Sequence, residues 1–230
     1  MSDEALEGML LARPGRAVRT APPRTGTFPI GLGQARDGLM FVPASWAPDE
    51  PRPFLLMLHG AGGSAAQALA LVQGAAESHG VLVFAPDSRG RTWDVIRGGY
   101  GPDVSFIDLA LDQAFATFAV DPGRIAVGGF SDGASYALCL GLGNGDLFGN
   151  VLAFSPGFAA PAQIQGTPRV FLSHGREDTV LPIDRCGRRV ARSLEEAGYD
   201  LDYHEFTGGH VVPPDLLDAA FARFLGRVAG

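Results

Sequence analysis

The chain contains no lysine: all 18 basic residues are arginine, set against 25 acidic ones, for a formal net charge of -7 over 230 residues. Without clustered cations there is no footprint for a phosphate backbone, which argues against a nucleic-acid partner. Cysteine is nearly absent. Cys139 and Cys186 are too few for a disulfide framework or a metal site, so both are expected as buried free thiols, with no metal bound. No stretch approaches the ~18 apolar residues a membrane-spanning helix needs. The start, MSDEALEGMLLARPGRAV, is acidic where a signal peptide would be basic. A cytoplasmic protein with no membrane partner is the expectation. Internal repeats, low-complexity tracts and linkers are missing too, so residues 1–230 are expected to form one domain.

What is present is an apolar content of 46%, enough to bury one sizeable core. It falls into short runs rich in Val, Leu and Phe at 39–44, 53–60, 81–87, 124–130, 150–157, 169–175 and 201–206. Runs that are apolar throughout, without alternation, suit strands covered on both faces. Between them the spacing predicts helices over 64–78, 104–119, 132–142, 185–198 and 214–228. Ser64 is a good N-cap for the first, and Pro213 and Pro214 introduce the last. Strands alternating with helices imply an α/β class: a mostly parallel central sheet with helices on both faces. Residues 1–37 are poorly periodic and are left as edge strands or an unstructured start. The segment FAAPAQIQGTP at 158–168 is too short for a helical cap, so an open site without a cap domain is expected. Ligands of such sheets bind beyond the carboxyl ends of the strands.

Four motifs fall at that edge. GFSDG at 129–133 follows a strand and opens a helix, the context in which G-x-S-x-G exposes a nucleophilic serine, here Ser131. Taken alone it also reads as a glycine-rich turn with a serine cap. A serine hydroxyl needs a base, and His210 closes FTGGH just after the last run, in a glycine-flanked loop. The other histidines read otherwise: His59 and His174 shape loops at strand ends, His79 ends a helix, and His204 lies within a strand. SHGREDTVLP at 173–182 supplies a carboxylate to orient the base; Asp178 is preferred at the turn before VLP, with Glu177 beside it as the competitor. The chain order serine, acid, histidine is that of one known nucleophile–acid–base arrangement. Fourth, HGAGG at 59–63 ends a strand with small residues whose amides can approach a developing oxyanion; the amides of Ala61 and Asp132 are expected to form that hole. HGAGG lacks the Lys-Ser/Thr ending of a nucleotide-binding loop.

From about residue 39 onward these motifs, with DVSFIDLALD at 103–112, resemble the serine esterases of the α/β-hydrolase superfamily. The branch they are similar to comprises the small, cap-less phospholipase/carboxylesterase-type and polyhydroxybutyrate-depolymerase-like enzymes. The resemblance implies an α/β-hydrolase fold, a triad of Ser131, Asp178 and His210, an oxyanion hole at Ala61 and Asp132, and no cofactor. It implies a small-molecule ester as substrate, of short to medium chain or with an aryl group. A thioesterase or a polyester depolymerase uses the same triad, and a binding module on the same scaffold is the non-enzyme alternative. Trp93, Phe158, Leu181 and Val211 lie on loops at the functional edge and are expected to line an apolar substrate pocket.

Overall fold

The structure, a computed structural model, describes residues 7–15 and 24–226. Eight strands form one sheet: β1 (Gly26–Pro29), β2 (Gly38–Val42), β3 (Arg52–Leu58), β4 (Leu82–Pro86), β5 (Val120–Phe130), β6 (Asn150–Phe154), β7 (Arg169–Gly175) and β8 (Leu201–Phe206). Their spatial order is β1-β2-β4-β3-β5-β6-β7-β8. All pairings are parallel except β1 with β2 and β2 with β4. The mostly parallel sheet expected from the sequence is therefore present. β1 falls in the stretch that the sequence left open, and it forms an antiparallel edge.

Among the described residues five α-helices cover the sheet: α1 (Ala65–His79), α2 (Pro102–Thr117), α3 (Asp132–Gly143), α4 (Gly187–Glu196) and α5 (Pro214–Phe224). The last is shorter than the spacing predicts, and positions 227 and 228 of that expectation lie outside the described residues. Strand side chains alternate between the two faces. Phe54, Leu56 and Leu58 of β3 join Val127, Val151 and the buried faces of α2, α3 and α4 in one core. Leu55, Met57, Ala126 and Leu152 join α1 and α5 in the other. A strand buried on both faces has no polar side to display, which is why these runs read as continuous.

The first described residues have a specific place. Leu10 is buried, and its N–H donates to Asn144 Oδ1 at 2.8 Å, while Asn144 Nδ2 donates to Gly8 O at 2.9 Å. Asp108 Oδ1 of α2 accepts from the amides of Leu11 and Ala12. Residues 8–12 are thus strapped across α2 and the end of α3. Residues 158–168 form an irregular loop with no helix.

Candidate active site

Register explains why residues distant in sequence meet. Leu58 of β3 pairs with Gly129 of β5, so the 59–63 loop leaves the sheet beside the turn at Ser131. Gly175 of β7 pairs with Phe206 of β8, so the loops carrying Asp178 and His210 leave side by side.

Ser131 sits between β5 and α3 with φ 58 and ψ -121. A positive φ on a residue with a side chain stores strain, and such strain persists only where the surroundings impose it. Here Ser131 N–H is held by Phe154 O at 2.9 Å. The following backbone is wedged under the end of β3: a Cβ on Gly133 would lie 2.6 Å from His59 O and closer still to Leu58 O. Only glycine permits that approach. The Asp132 amide is then one of the N-terminal amides of α3 that have no intrahelical acceptor, and the helix dipole adds positive potential there.

The 59–63 loop closes with Gly63 N–H donating to Gly60 O at 3.0 Å, while Gly62 N–H donates to Arg91 O at 2.7 Å. With those two amides engaged, the exposed residue Ala61 stands at the tip of the turn. The loop has a rigid underside. Ser88 N–H donates to His59 Nε2 at 3.0 Å, so the His59 proton is on Nδ1, which donates to Gly60 O at 2.7 Å. Burial lowers the His59 pKa below 6.5 and keeps the ring neutral.

Trp93 corrects an expectation. It is fully buried rather than lining a pocket. Its ring stacks on Tyr136 at 5.2 Å and lies 4.6 Å from that of His59, and its indole N–H donates to His59 O at 2.8 Å. A buried indole must find an acceptor, and the one within reach belongs to the base of the 59–63 loop. Thr92 beside it donates to Asp132 Oδ2 at 2.6 Å. The 88–93 segment thus braces both amides from below.

Asp178 is buried, and three donors hold its carboxylate. Val180 and Leu181 N–H donate to Oδ1 at 2.9 and 2.8 Å, and His210 Nδ1 lies 2.6 Å from Oδ2. His174 Nε2 lies 3.3 Å from the same oxygen and donates to Leu181 O at 2.7 Å. Burial by itself would raise the Asp178 pKa, but the Leu181 amide, the His210 ring and the Val180 amide hold it below its ordinary value. Glu177, the alternative carboxylate, is exposed. A Cβ on Gly175 would strike the carbonyls of Gly208 and Gly209, so that glycine is what lets the acid and histidine loops meet. The His210 ring packs on Phe130, centroids 4.6 Å apart, next to Ser131.

Phe158 and Leu181 are half-buried, and Val211 is exposed beside His210. A pocket of about 290 Å³ along the 59–63 loop is lined by none of the four residues expected from the sequence; Met57, Ala68, Leu71 and Phe130 form its apolar walls. Phe130 was legible in principle: on β5 it falls in step with Ala126 and Gly128, on the face that carries α1.

The neutral histidines have a measurable consequence. His59 and His174 are both lowered from 6.5 by burial, so below about pH 6.5 the unfolded chain binds protons that the folded chain does not. Stability therefore falls as pH drops from 7 towards 5. The stabilisation from Asp178, whose pKa is depressed, is lost only at more acid pH. Urea midpoints across this range should decline at constant slope; an unchanged midpoint would contradict the burial of two neutral rings.

Among the described residues no helix is long and apolar enough to cross a membrane. The family model for phospholipases and carboxylesterases matches residues 104–225. Acyl-protein thioesterase 1 of Gibberella zeae is 32% identical over 107 residues, 42% of this chain and 45% of that protein. A putative esterase, NocK, of Nocardia uniformis subsp. tsuyamanensis is 30% identical over 153 residues, 62% of this chain and 44% of that one. The chain thus spans less than half the length of these curated relatives. Among solved structures, esterase PE8 superposes with a TM-score of 0.67 at 26% identity, covering 82% of this chain and 97% of that one. The apo form of Thermogutta terrifontis esterase 2 gives 0.67 at 18% identity over 93% of this chain and all of its own, a likeness of fold. With a strained serine at the mouth of an α/β-hydrolase sheet and a family match over just over half its residues, the chain belongs to the phospholipase/carboxylesterase family.

Proposed function

We propose that the chain is a serine carboxylesterase acting on small esters through an acyl-enzyme. Ser131 is the nucleophile. His210 takes its proton as the hydroxyl attacks the ester carbonyl, and Asp178 stabilises the imidazolium that forms. The amides of Ala61 and Asp132 receive the oxyanion, each such donor being worth about 2.7–4 kcal/mol of barrier. His210 then protonates the departing alcohol, and water hydrolyses the acyl-enzyme with the same ring as base. A cytoplasmic setting agrees with two buried thiols that are both free.

The observation that carries this reading is the 2.6 Å contact between Asp178 and His210, on a ring that packs beside the strained serine. The relative named as an acyl-protein thioesterase favours a second reading, a thioester as substrate; the chemistry at Ser131 is the same. A fluorophosphonate should label the wild type and leave Ser131→Ala untouched. On a panel of p-nitrophenyl esters plus one acyl thioester, that variant should lose more than about 10³-fold in kcat. Labelling of the alanine variant would sink the proposal.

A further inference from the structure

The pocket of about 290 Å³ runs along the 59–63 loop, which the pairing of Leu58 with Gly129 brings beside Ser131. Gly60 lines it, and a Cβ placed there would lie 3.3 Å from Ser131 Cβ and 3.7 Å from the Phe130 ring, so the pocket wall at Gly60 stands directly against the serine. Its walls are apolar on the α1 side, at Ala68 and Leu71, with Met57 and Phe130 from the strands. The volume is at the lower end of the roughly 300–1,000 Å³ typical of ligand pockets, which suits one short chain or a single ring.

We propose that this pocket binds the alcohol half of the ester, an apolar primary or aryl alcohol. The inference rests on the hydrolytic reading above. In that reaction the leaving oxygen must lie against the imidazole that protonates it, while the oxyanion points to the amides of Ala61 and Asp132. The Phe130 ring, a wall of the pocket, is also the ring in contact with His210, at 4.6 Å. A substituent on the leaving oxygen therefore passes along Phe130 into the pocket, and the acyl chain extends away from it.

Two matched series separate the halves: alkyl acetates of rising alcohol length, and ethyl alkanoates of rising acyl length. In the wild type, kcat/KM should climb along the alcohol series by about fourfold per methylene, the equivalent of about 0.8 kcal/mol, until the pocket fills. Leu71→Trp fills the pocket and should flatten that climb while leaving the slope of the acyl series as it was. Gln67→Leu, at an exposed helix position on the pocket wall, adds apolar wall without added bulk and should steepen it. Saturation-transfer NMR with 1-hexanol gives a readout independent of turnover: binding to wild type and to Ser131→Ala, lost in Leu71→Trp. Flattening of the acyl series instead, or no change in either slope, would overturn the assignment. A wild-type protein that no fluorophosphonate labels would overturn hydrolysis itself, while hexanol binding sensitive to Leu71→Trp would still identify the pocket as an alcohol site.

Discussion

Asp178→Asn is expected to lower kcat by about 10⁴-fold with little change in KM, read by steady-state kinetics on a p-nitrophenyl ester at neutral pH. Asparagine keeps one oxygen, which can still accept from the amides of Val180 and Leu181. Its NH₂ group then occupies the place of Oδ2, which lies 2.6 Å from His210 Nδ1 and 3.3 Å from His174 Nε2. Two donors cannot face one another, so the His210 ring must move its proton to Nε2. In the proposed mechanism a protonated Nε2 could not accept the proton of Ser131. Asp178 is buried behind the His210 ring, which is why binding should be spared. Glu177→Gln is the control, since that side chain is exposed, and its kcat should stay within about twofold, the ±0.5 kcal/mol of an ordinary surface change. A fall below tenfold in Asp178→Asn would remove the carboxylate from the role given to it.

The second large effect is on the fold and the site together. Gly133→Ala should cost about 3 kcal/mol, the upper part of the usual range for overpacking, and lower Tm by about 6–12 °C in a chain of this size. The added Cβ meets the carbonyls of Leu58 and His59, backbone atoms that cannot swing aside as a flexible side chain would. Because those carbonyls end β3 and open the 59–63 loop, the displacement also moves the Ala61 amide, and fluorophosphonate labelling should disappear. Gly74→Ala is the matching contrast: it lies within α1 with nothing within 4 Å of the new Cβ. That change should stabilise by up to about 1 kcal/mol through helix propensity. Equal thermal shifts in the two variants would mean that the approach of α3 to β3 is not what requires glycine at 133.

Much of this architecture is legible in the sequence. The run at 169–175 is β7 and the run at 201–206 is β8, residue for residue. Legibility came from local physics: strands buried on both faces are continuous apolar runs, and a glycine-flanked serine at a strand-to-helix corner, ambiguous alone, gains meaning from the acid and histidine that follow later strands. One misreading and one segment left open share a cause. Trp93 looked like a pocket residue because it lies in a polar loop at the functional edge. Its burial depends on a carbonyl 34 positions away, and no local pattern encodes such a partner. Residues 8–12 had no periodicity because a strap is held by single hydrogen bonds to Asn144 and Asp108, without a repeating face to pack.

Sequence alone determined the α/β class, the order of the elements after β1 and the residue types set at the carboxyl edge of the sheet, because each follows from the period of burial along a few consecutive residues. Tertiary structure decided which of those residues touch. The pairing of Gly175 with Phe206 brings Asp178 to His210, the pairing of Leu58 with Gly129 brings the 59–63 loop to Ser131, and the pocket at Phe130 exists only once α1 has docked on that face. Contact between distant segments is a matter of register and crossover, and those are fixed by the whole sheet closing its core rather than by any one stretch of chain.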